Sequence, residues 1–391
     1  MTFKILSLDG GGIRGVLSAT LLKQVETILQ DKKGKKLHEY FDLIAGTSTG
    51  SILAAGIACQ MEADELIQVY EKEGKNIFLE SIHSQRKWRW LGRLIGSFAL
   101  YPHESGEQGL AKVLARNLIH KKLGKCPTIG EIGKLAENNE PQPQLLILAY
   151  DVLSRNTTWF GSGCNRWYDN IELWKICTAS ASAPTFFPPY QLPYNDDQYL
   201  PHIDGGVAAN NPELVAIAHA LWMHREQKQN KSERLDLSDI AVLSMGTGKT
   251  TCPFEYEDIK KWGLGKWVSN IPNIFLNPSA QNSPSMCKQI LHSVSDDEHY
   301  LRLDFDLNER YEGERQLGRL RGLTKNPYNK YIYEETKKRK EISEDIDNPD
   351  ICADLQEAAQ CYLKWGKLDY VYDGQQNLDV ISAINQFIDS H

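Results

Sequence analysis

A Gly-Thr-Ser-Thr-Gly run centred on Ser48 could supply the nucleophile of an esterase. It matches G-x-S-x-G, which in a nucleophile elbow follows a buried strand and opens a helix, so that the serine Oγ is exposed at the turn. The apolar residues 41–45 predict that strand, and the small apolar residues 51–58 predict that helix. The turn needs glycine where a side chain would clash, which would explain Gly46 and Gly50. A helix N-cap without chemistry is the alternative.

A second glycine-rich loop, Asp-Gly-Gly-Gly-Ile-Arg-Gly, follows the apolar run 3–8 and precedes a helical pattern over 16–29. Backbone N–H groups at a helix N-terminus attract anions, so the loop could hold a nucleotide phosphate. A dinucleotide site expects an acidic residue at the end of the next strand, about 20 residues on, where this chain has a helix and a basic loop. The same N–H groups could instead stabilise the oxyanion of acyl transfer, with Arg14 adding positive charge.

A serine nucleophile needs a base, and the run from His202 to Gly206, His-Ile-Asp-Gly-Gly, offers two. On a strand, His202 and Asp204 would face the same side, so either could approach Ser48. A tight turn is the alternative interpretation of the Asp-Gly-Gly string.

In this order, DGGGIRG, GTSTG and DGG resemble the motifs of the patatin-like phospholipase family, which are lipid acyl hydrolases. Residues 180–189, SASAPTFFPP, resemble the family's loop before its D-G-G motif. Residues 242–248, VLSMGTG, resemble its later strand and turn. The similarity spans roughly residues 3–250 and continues weakly to about 310.

The resemblance implies a Ser–Asp dyad of Ser48 and Asp204 that cleaves acyl esters of membrane glycerophospholipids through an acyl-enzyme. It implies no metal or other cofactor. His202 is not part of the family motif and is expected to be a strand residue. The oxyanion hole would consist of Gly10, Gly11, Gly12 and Arg14, and the remaining motif glycines are Gly15, Gly46, Gly50, Gly205 and Gly206.

Strands alternate with helices over the first 250 residues, which predicts an α/β protein with a mostly parallel sheet. The resemblance makes this a three-layer α/β/α patatin-like fold. The predicted catalytic core is 1–250, or to 310 on the wider boundary. Residues 311–391 are a helical and irregular C-terminal extension of mixed charge, with amphipathic helices at 352–365 and 377–389.

The composition is that of a globular protein: 391 residues, 41% hydrophobic and 24% charged, with a net charge of −7. The acidic balance argues against a dedicated nucleic-acid binder. The eight cysteines are dispersed without metal-ligand spacing, and no apolar run reaches the roughly 18 residues of a transmembrane helix. These features predict a reduced, cytoplasmic protein, and the implied lipid substrate adds a peripheral, reversible contact with the membrane.

Residues 86–98 predict that contact, because apolar side chains at helical spacing alternate with basic ones. A basic amphipathic helix with tryptophans suits a lipid–water interface. The alternative is a surface helix whose apolar face packs on the core. The interface candidates are Trp88, Trp90, Arg86 and Arg89.

Two other functions stay open. One is a nucleotide-binding regulatory module that uses residues 9–15 as a phosphate site. The other is a phospholipase effector that a cyclic dinucleotide activates, as in bacterial antiphage effectors resembling patatin. The sequence leaves the oligomeric state undetermined.

Overall fold

The computed structural model describes residues 2–87, 100–138, 141–227, 234–249, 256–294, 299–307, 342–343, 345–368 and 378–391, without the side chains of 85–87, 258 and 268–279. The strands are β1 (Phe3–Leu8), β2 (Leu43–Thr47), β3 (Gln144–Asp151), β4 (Asn156–Gly161), β5 (Tyr190–Pro193), β6 (Tyr199–Asp204), β7 (Ile240–Met245), β8 (Tyr300–Leu303), β9 (Lys367–Leu368) and β10 (Leu378–Asp379). The helices are α1 (Gly15–Lys33), α2 (Leu37–Tyr40), α3 (Thr49–Ala58), α4 (Ala63–Ile77), α5 (Glu80–Lys87), α6 (Leu110–Asn117), α7 (Ile129–Glu137), α8 (Leu173–Ser180), α9 (Gly206–Ala209), α10 (Glu213–Gln227), α11 (Tyr256–Ile259), α12 (Leu264–His292), α13 (Cys352–Trp365) and α14 (Val380–Ser390).

The central sheet has the order β5-β6-β3-β2-β1-β7-β8, and β4 also pairs with β3. The five strands from β3 to β8 in this order run parallel. The strands β4, β5 and β6 are antiparallel to their neighbours. Parallel neighbours need crossover connections, which the helices between β1, β2 and β3 supply. The mostly parallel sheet predicted from the sequence is confirmed.

Helices cover both faces of this sheet, because successive strand residues point to opposite sides. On one face, Leu6 and Ile44 belong to a large core that includes residues of α1, α3, α4 and α8. On the other face, Ile5 and Leu43 pack in a smaller core with Ala216 of α10 and residues of α12. The three-layer α/β/α arrangement is therefore the observed one.

The two C-terminal helices pack against α1 and against each other. Buried residues of α13 and α14, such as Leu355 and Ile384, belong to the same core as Leu17 of α1. The sequence predicted both helices, and the second begins three residues later than expected. The chain between 308 and 341 lies outside the described residues, and the boundary at 310 stays a prediction.

The predicted membrane-contact helix falls mostly outside the described residues. Helix α5 contains Arg86 and ends at Lys87. Trp88, Arg89 and Trp90 lie outside the described residues, so their interfacial role stays a prediction. No helix in the described ranges combines the length and apolar character needed to cross a bilayer.

Candidate active site

Ser48 occupies a strained turn between β2 and α3. Its backbone has φ 53° and ψ −124°, a conformation that costs free energy and that surrounding packing must maintain. The turn is also tight. A Cβ on Gly46 would lie 2.3 Å from the carbonyl oxygen of Gly50, and one on Gly50 would lie 2.1 Å from that of Leu8. The two glycines therefore allow the close packing that places the serine at the end of the strand, as a nucleophile elbow requires.

Asp204 reaches Ser48 because two strands meet end to end on one edge of β3. Thr47, the last residue of β2, pairs with Leu148, and Asp204, the last residue of β6, pairs with the next residue, Ala149. Strand β4 pairs with both of those β3 residues and so occupies the opposite edge. The ends of β2 and β6 are thus adjacent, and the residue after Thr47 is Ser48.

The hydroxyl of Ser48 lies close enough to the carboxylate of Asp204 to lower the pKa of that carboxyl. The N–H of Gly206 donates to Oδ1 of the same carboxylate at 2.7 Å. Burial is the larger effect and raises the pKa of Asp204 from 3.8 to about 6, although both neighbours favour the ionised form. A carboxylate with this pKa is a better match for proton transfer near pH 7 than a solvated one.

Two serines of the loop 180–189 hold this arrangement in place. The N–H of Ser48 donates to Oγ of Ser180 at 2.9 Å, and that hydroxyl donates to the carbonyl of Leu148 at 2.6 Å. The N–H of Asp204 donates to the carbonyl of Ser182 at 3.0 Å. The sequence marked this loop only by resemblance; it did not predict that Ser180 ties the nucleophile's backbone to β3.

The glycine-rich loop lies beside Ser48, since a Cβ on Gly10 would be 3.1 Å from the Cβ of Ser48. The N–H of Gly10 donates to the carbonyl of Asn210 at 3.0 Å, so this amide is already used. The N–H groups of Gly11 and Gly12 have no partner among the residues that the structure describes. Of the predicted oxyanion donors, the Gly10 amide therefore anchors the loop, and the role of Gly11 and Gly12 stays a prediction.

Residues 6–217 match the family model described as "Patatin-like phospholipase". The chain belongs to this family. Patatin-like protein 3 of Arabidopsis thaliana is 29% identical over 334 residues, covering 77% of this chain and 73% of that protein. Patatin-like protein 2 of Oryza sativa subsp. indica is 29% identical over 328 residues, covering 77% and 76%. As a member of the patatin-like phospholipases, the protein is a lipid-hydrolysing esterase.

Arg14 belongs to the glycine-rich loop of this patatin-like chain, and its guanidinium forms a hydrogen bond within the protein. Nη1 donates to the carbonyl of Gly248 at 3.2 Å. The 246–248 turn touches the loop at a second point, where Oγ1 of Thr247 donates to the carbonyl of Gly10 at 3.0 Å. Arg14 therefore links the loop to the turn after β7, a role that its position in the motif did not reveal.

His202 does not take part in the Ser48–Asp204 pair. Its Nδ1 lies 3.0 Å from the carbonyl of Leu200 and its Nε2 lies 3.0 Å from Oγ1 of Thr158. One ring nitrogen is thus used by His202's own strand and the other by β4, and burial lowers the pKa of the imidazole. The hypothesis that His202 approaches Ser48 is not supported, because the ring is buried in the sheet region that carries β4.

Proposed function

We propose that this protein is a phospholipase A-type hydrolase that cleaves acyl esters of membrane glycerophospholipids with Ser48 as nucleophile and Asp204 as its base. The adjacency of these two residues at the neighbouring ends of β2 and β6 is the observation that carries the proposal. The sheet therefore holds the pair in place, and the Ser48 hydroxyl is close enough to influence the carboxyl of Asp204.

In the first step, the carboxylate of Asp204 accepts the hydroxyl proton while Oγ of Ser48 attacks the ester carbonyl carbon. Negative charge develops on the carbonyl oxygen, beside the N–H groups of Gly11 and Gly12. The C–O bond to the glycerol then breaks, and Asp204 returns its proton to the departing alkoxide. The products are a lysophospholipid and an acyl-enzyme.

In the second step, water replaces the alcohol. Asp204 accepts a proton from the water as its oxygen attacks the acyl-enzyme carbonyl, and the same two N–H groups again face the oxyanion. The bond to Oγ breaks, Ser48 regains a proton from Asp204, and a fatty acid is released. One carboxylate therefore acts as base and then as acid in each step.

Product analysis tests the proposed reaction. Incubation with vesicles of phosphatidylcholine, phosphatidylethanolamine and phosphatidylglycerol should yield lysophospholipid and free fatty acid in equal amounts by mass spectrometry. If fatty acid appears with a glycerophosphodiester and without lysophospholipid, both acyl chains are being removed. Release of a phosphorylated head group instead would contradict acyl hydrolysis.

The pH dependence of activity should report Asp204. Because the pKa of this carboxyl is raised to about 6, the group is protonated and inactive at lower pH and ionised at higher pH. We expect kcat/KM for p-nitrophenyl butyrate to rise tenfold per pH unit below about 6 and to level off above it. The His202→Gln variant should keep the same midpoint, since this residue does not contact the dyad. A midpoint near 4 would indicate a solvated base.

The raised pKa of Asp204 also makes the free energy of unfolding depend on pH. The folded state favours the protonated carboxyl of Asp204, so its contribution to the free energy of unfolding is largest below pH 3.8 and is lost as the pH rises through about 6. The enzyme is thus most active in the pH range where this group stabilises the fold least.

Exposed apolar side chains among the described residues support the proposal that the protein contacts a membrane. Strand β3 continues past Leu148, and the turn after it exposes Val152 and Leu153, the latter 70% exposed. Tyr199, 57% exposed, begins β6 and lies five residues from Asp204, which is about 16 Å along the strand. These apolar side chains therefore protrude from the end of the sheet at which Ser48 lies, where a bilayer would have to present its esters.

The Leu153→Ser/Tyr199→Ser variant should lose about tenfold or more of its activity on vesicles, because each buried apolar side chain contributes about 1.5–3 kcal/mol to partitioning. Hydrolysis of monomeric p-nitrophenyl butyrate should stay within twofold of the wild type. Trp222→Ala is the matched control. Trp222 is a partly exposed aromatic residue on α10, two residues from His224, and the His224 ring contacts Phe3. Trp222 therefore lies toward the end of the sheet opposite to Ser48.

A parallel Trp88→Ala/Trp90→Ala variant tests the sequence-predicted interface. Replacing Arg86 and Arg89 with Gln should reduce the salt dependence of binding to anionic vesicles if that segment contributes charge. If either variant loses equal activity on vesicles and on the monomeric ester, its altered residues support the fold or the site. The surface that carries those residues is then not the membrane contact.

A further inference from the structure

A buried ion-pair network contacts the glycine-rich segment 9–15, which we call the oxyanion loop. No motif of the sequence indicated this network. Arg302 of β8 donates to both carboxylate oxygens of Asp9, at 2.9 and 2.5 Å, and Asp9 immediately precedes Gly10. The same guanidinium donates to Ser244 at 2.8 Å and to Oδ2 of Asp304 at 3.1 Å. Arg302, Asp9 and Asp304 have side chains no more than 11% exposed.

The network also reaches the oxyanion loop through the turn 246–248. Oδ1 of Asp304 accepts from the N–H of Gly248 at 3.2 Å, in the turn whose Gly248 carbonyl accepts from Arg14. The turn packs closely on the loop, since a Cβ on Gly11 would lie 2.3 Å from Oγ1 of Thr247. Arg302 therefore connects to the residue before the three glycines and, through Asp304, to the turn that lies against them.

We propose that Arg302 is a positioning residue that fixes the N–H groups of Gly11 and Gly12 for the oxyanion. The inference rests on the proposed role of those two amides. A bidentate guanidinium defines the position and the orientation of a carboxylate, whereas an ammonium group supplies charge without that geometry. Arg302 lies outside residues 6–217, the range that the family model matches, so the support of the loop comes from a later part of the chain.

The Arg302→Lys variant tests this role because it keeps the charge and loses the fork. We expect kcat for p-nitrophenyl butyrate to fall about 10²-fold with KM unchanged, since a displacement of the order of 1 Å affects the transition state and not ground-state binding. Affinity for a trifluoromethyl ketone, which forms a tetrahedral oxyanion adduct with Ser48, should fall by the same factor. A purely structural role would not produce this agreement between kcat and inhibitor affinity.

Tyr168→Phe is the matched control, since it removes a buried polar group outside this network. The Tyr168 hydroxyl donates to the carbonyl of Trp159 on β4 at 3.0 Å, so kcat and inhibitor affinity should both stay within about threefold. Melting temperatures of both variants are measured, and kinetics are run well below the lower one.

Arg302→Lys with kcat within threefold of the wild type would overturn the inference, as would a loss of kcat without loss of inhibitor affinity. If this variant does not fold, Asp304→Asn replaces it, because the amide keeps an oxygen for the N–H of Gly248 but removes one charge from the network. We expect about a tenfold loss in both quantities there, and no loss would overturn the inference. A wild-type protein without esterase activity would instead contradict the proposed function itself.

Discussion

Replacing Ser48 with alanine should lower ester hydrolysis by at least about 10⁴-fold, because the reaction then has no nucleophile and the remaining oxyanion donors cannot form an acyl-enzyme. The melting temperature should stay within a few degrees of the wild-type value. The change removes one hydroxyl near the carboxylate of Asp204 and leaves the packing of α3 intact. Both quantities are measured on the full chain, with p-nitrophenyl butyrate as the substrate.

Ser162→Ala is the matched control for this change. Ser162 is another buried serine, and its Oγ accepts from the N–H of Leu145 at 2.8 Å, away from the dyad. It should keep activity within a few-fold while losing at least as much stability as Ser48→Ala. Activity above a few per cent in Ser48→Ala would move the nucleophile to another residue.

Asp204→Asn should reduce kcat by about 10⁴-fold, since an amide holds its position but cannot accept the serine proton. The variant should also lose the rise in activity near pH 6, because the group that titrates there has been removed. The hydrogen bond from the N–H of Gly206 can persist to the amide oxygen, so the turn after β6 should keep its conformation. The measurement is a pH–rate profile of the variant beside that of the wild type.

His202→Gln provides the comparison that decides between the two candidate bases. Its ring nitrogens contact Thr158 and Leu200 and not Ser48, so activity should fall by less than about tenfold. If His202→Gln were the more damaging change, a Ser–His arrangement would have to replace the Ser48–Asp204 pair.

The elbow was predictable because all of its determinants are local in the sequence. A strand, a G-x-S-x-G turn and a helix stand next to one another, and the structure has this order with the strand shifted from 41–45 to Leu43–Thr47. The helix starting at Gly15 was predictable for the same reason, since its apolar periodicity lies within one segment.

The contacts between distant segments were not predictable from single motifs. The sequence predicted correctly that His202 and Asp204 lie on one strand. Only the register of the strands shows that Asp204 lies beside the end of β2. The use of the Gly10 N–H by Asn210 depends on a loop 200 residues away. Arg302 stands in a short strand with no recognisable motif, and its importance follows from the three buried side chains it contacts.

The central claim, that Ser48 is an activated nucleophile paired with Asp204, is tested most directly by labelling with a fluorophosphonate and mapping the adduct by peptide mass spectrometry. The label should be found on Ser48, it should be absent from Ser48→Ala, and it should form much more slowly in Asp204→Asn. A label on a different serine, or none on a folded protein that hydrolyses p-nitrophenyl butyrate, would contradict the dyad.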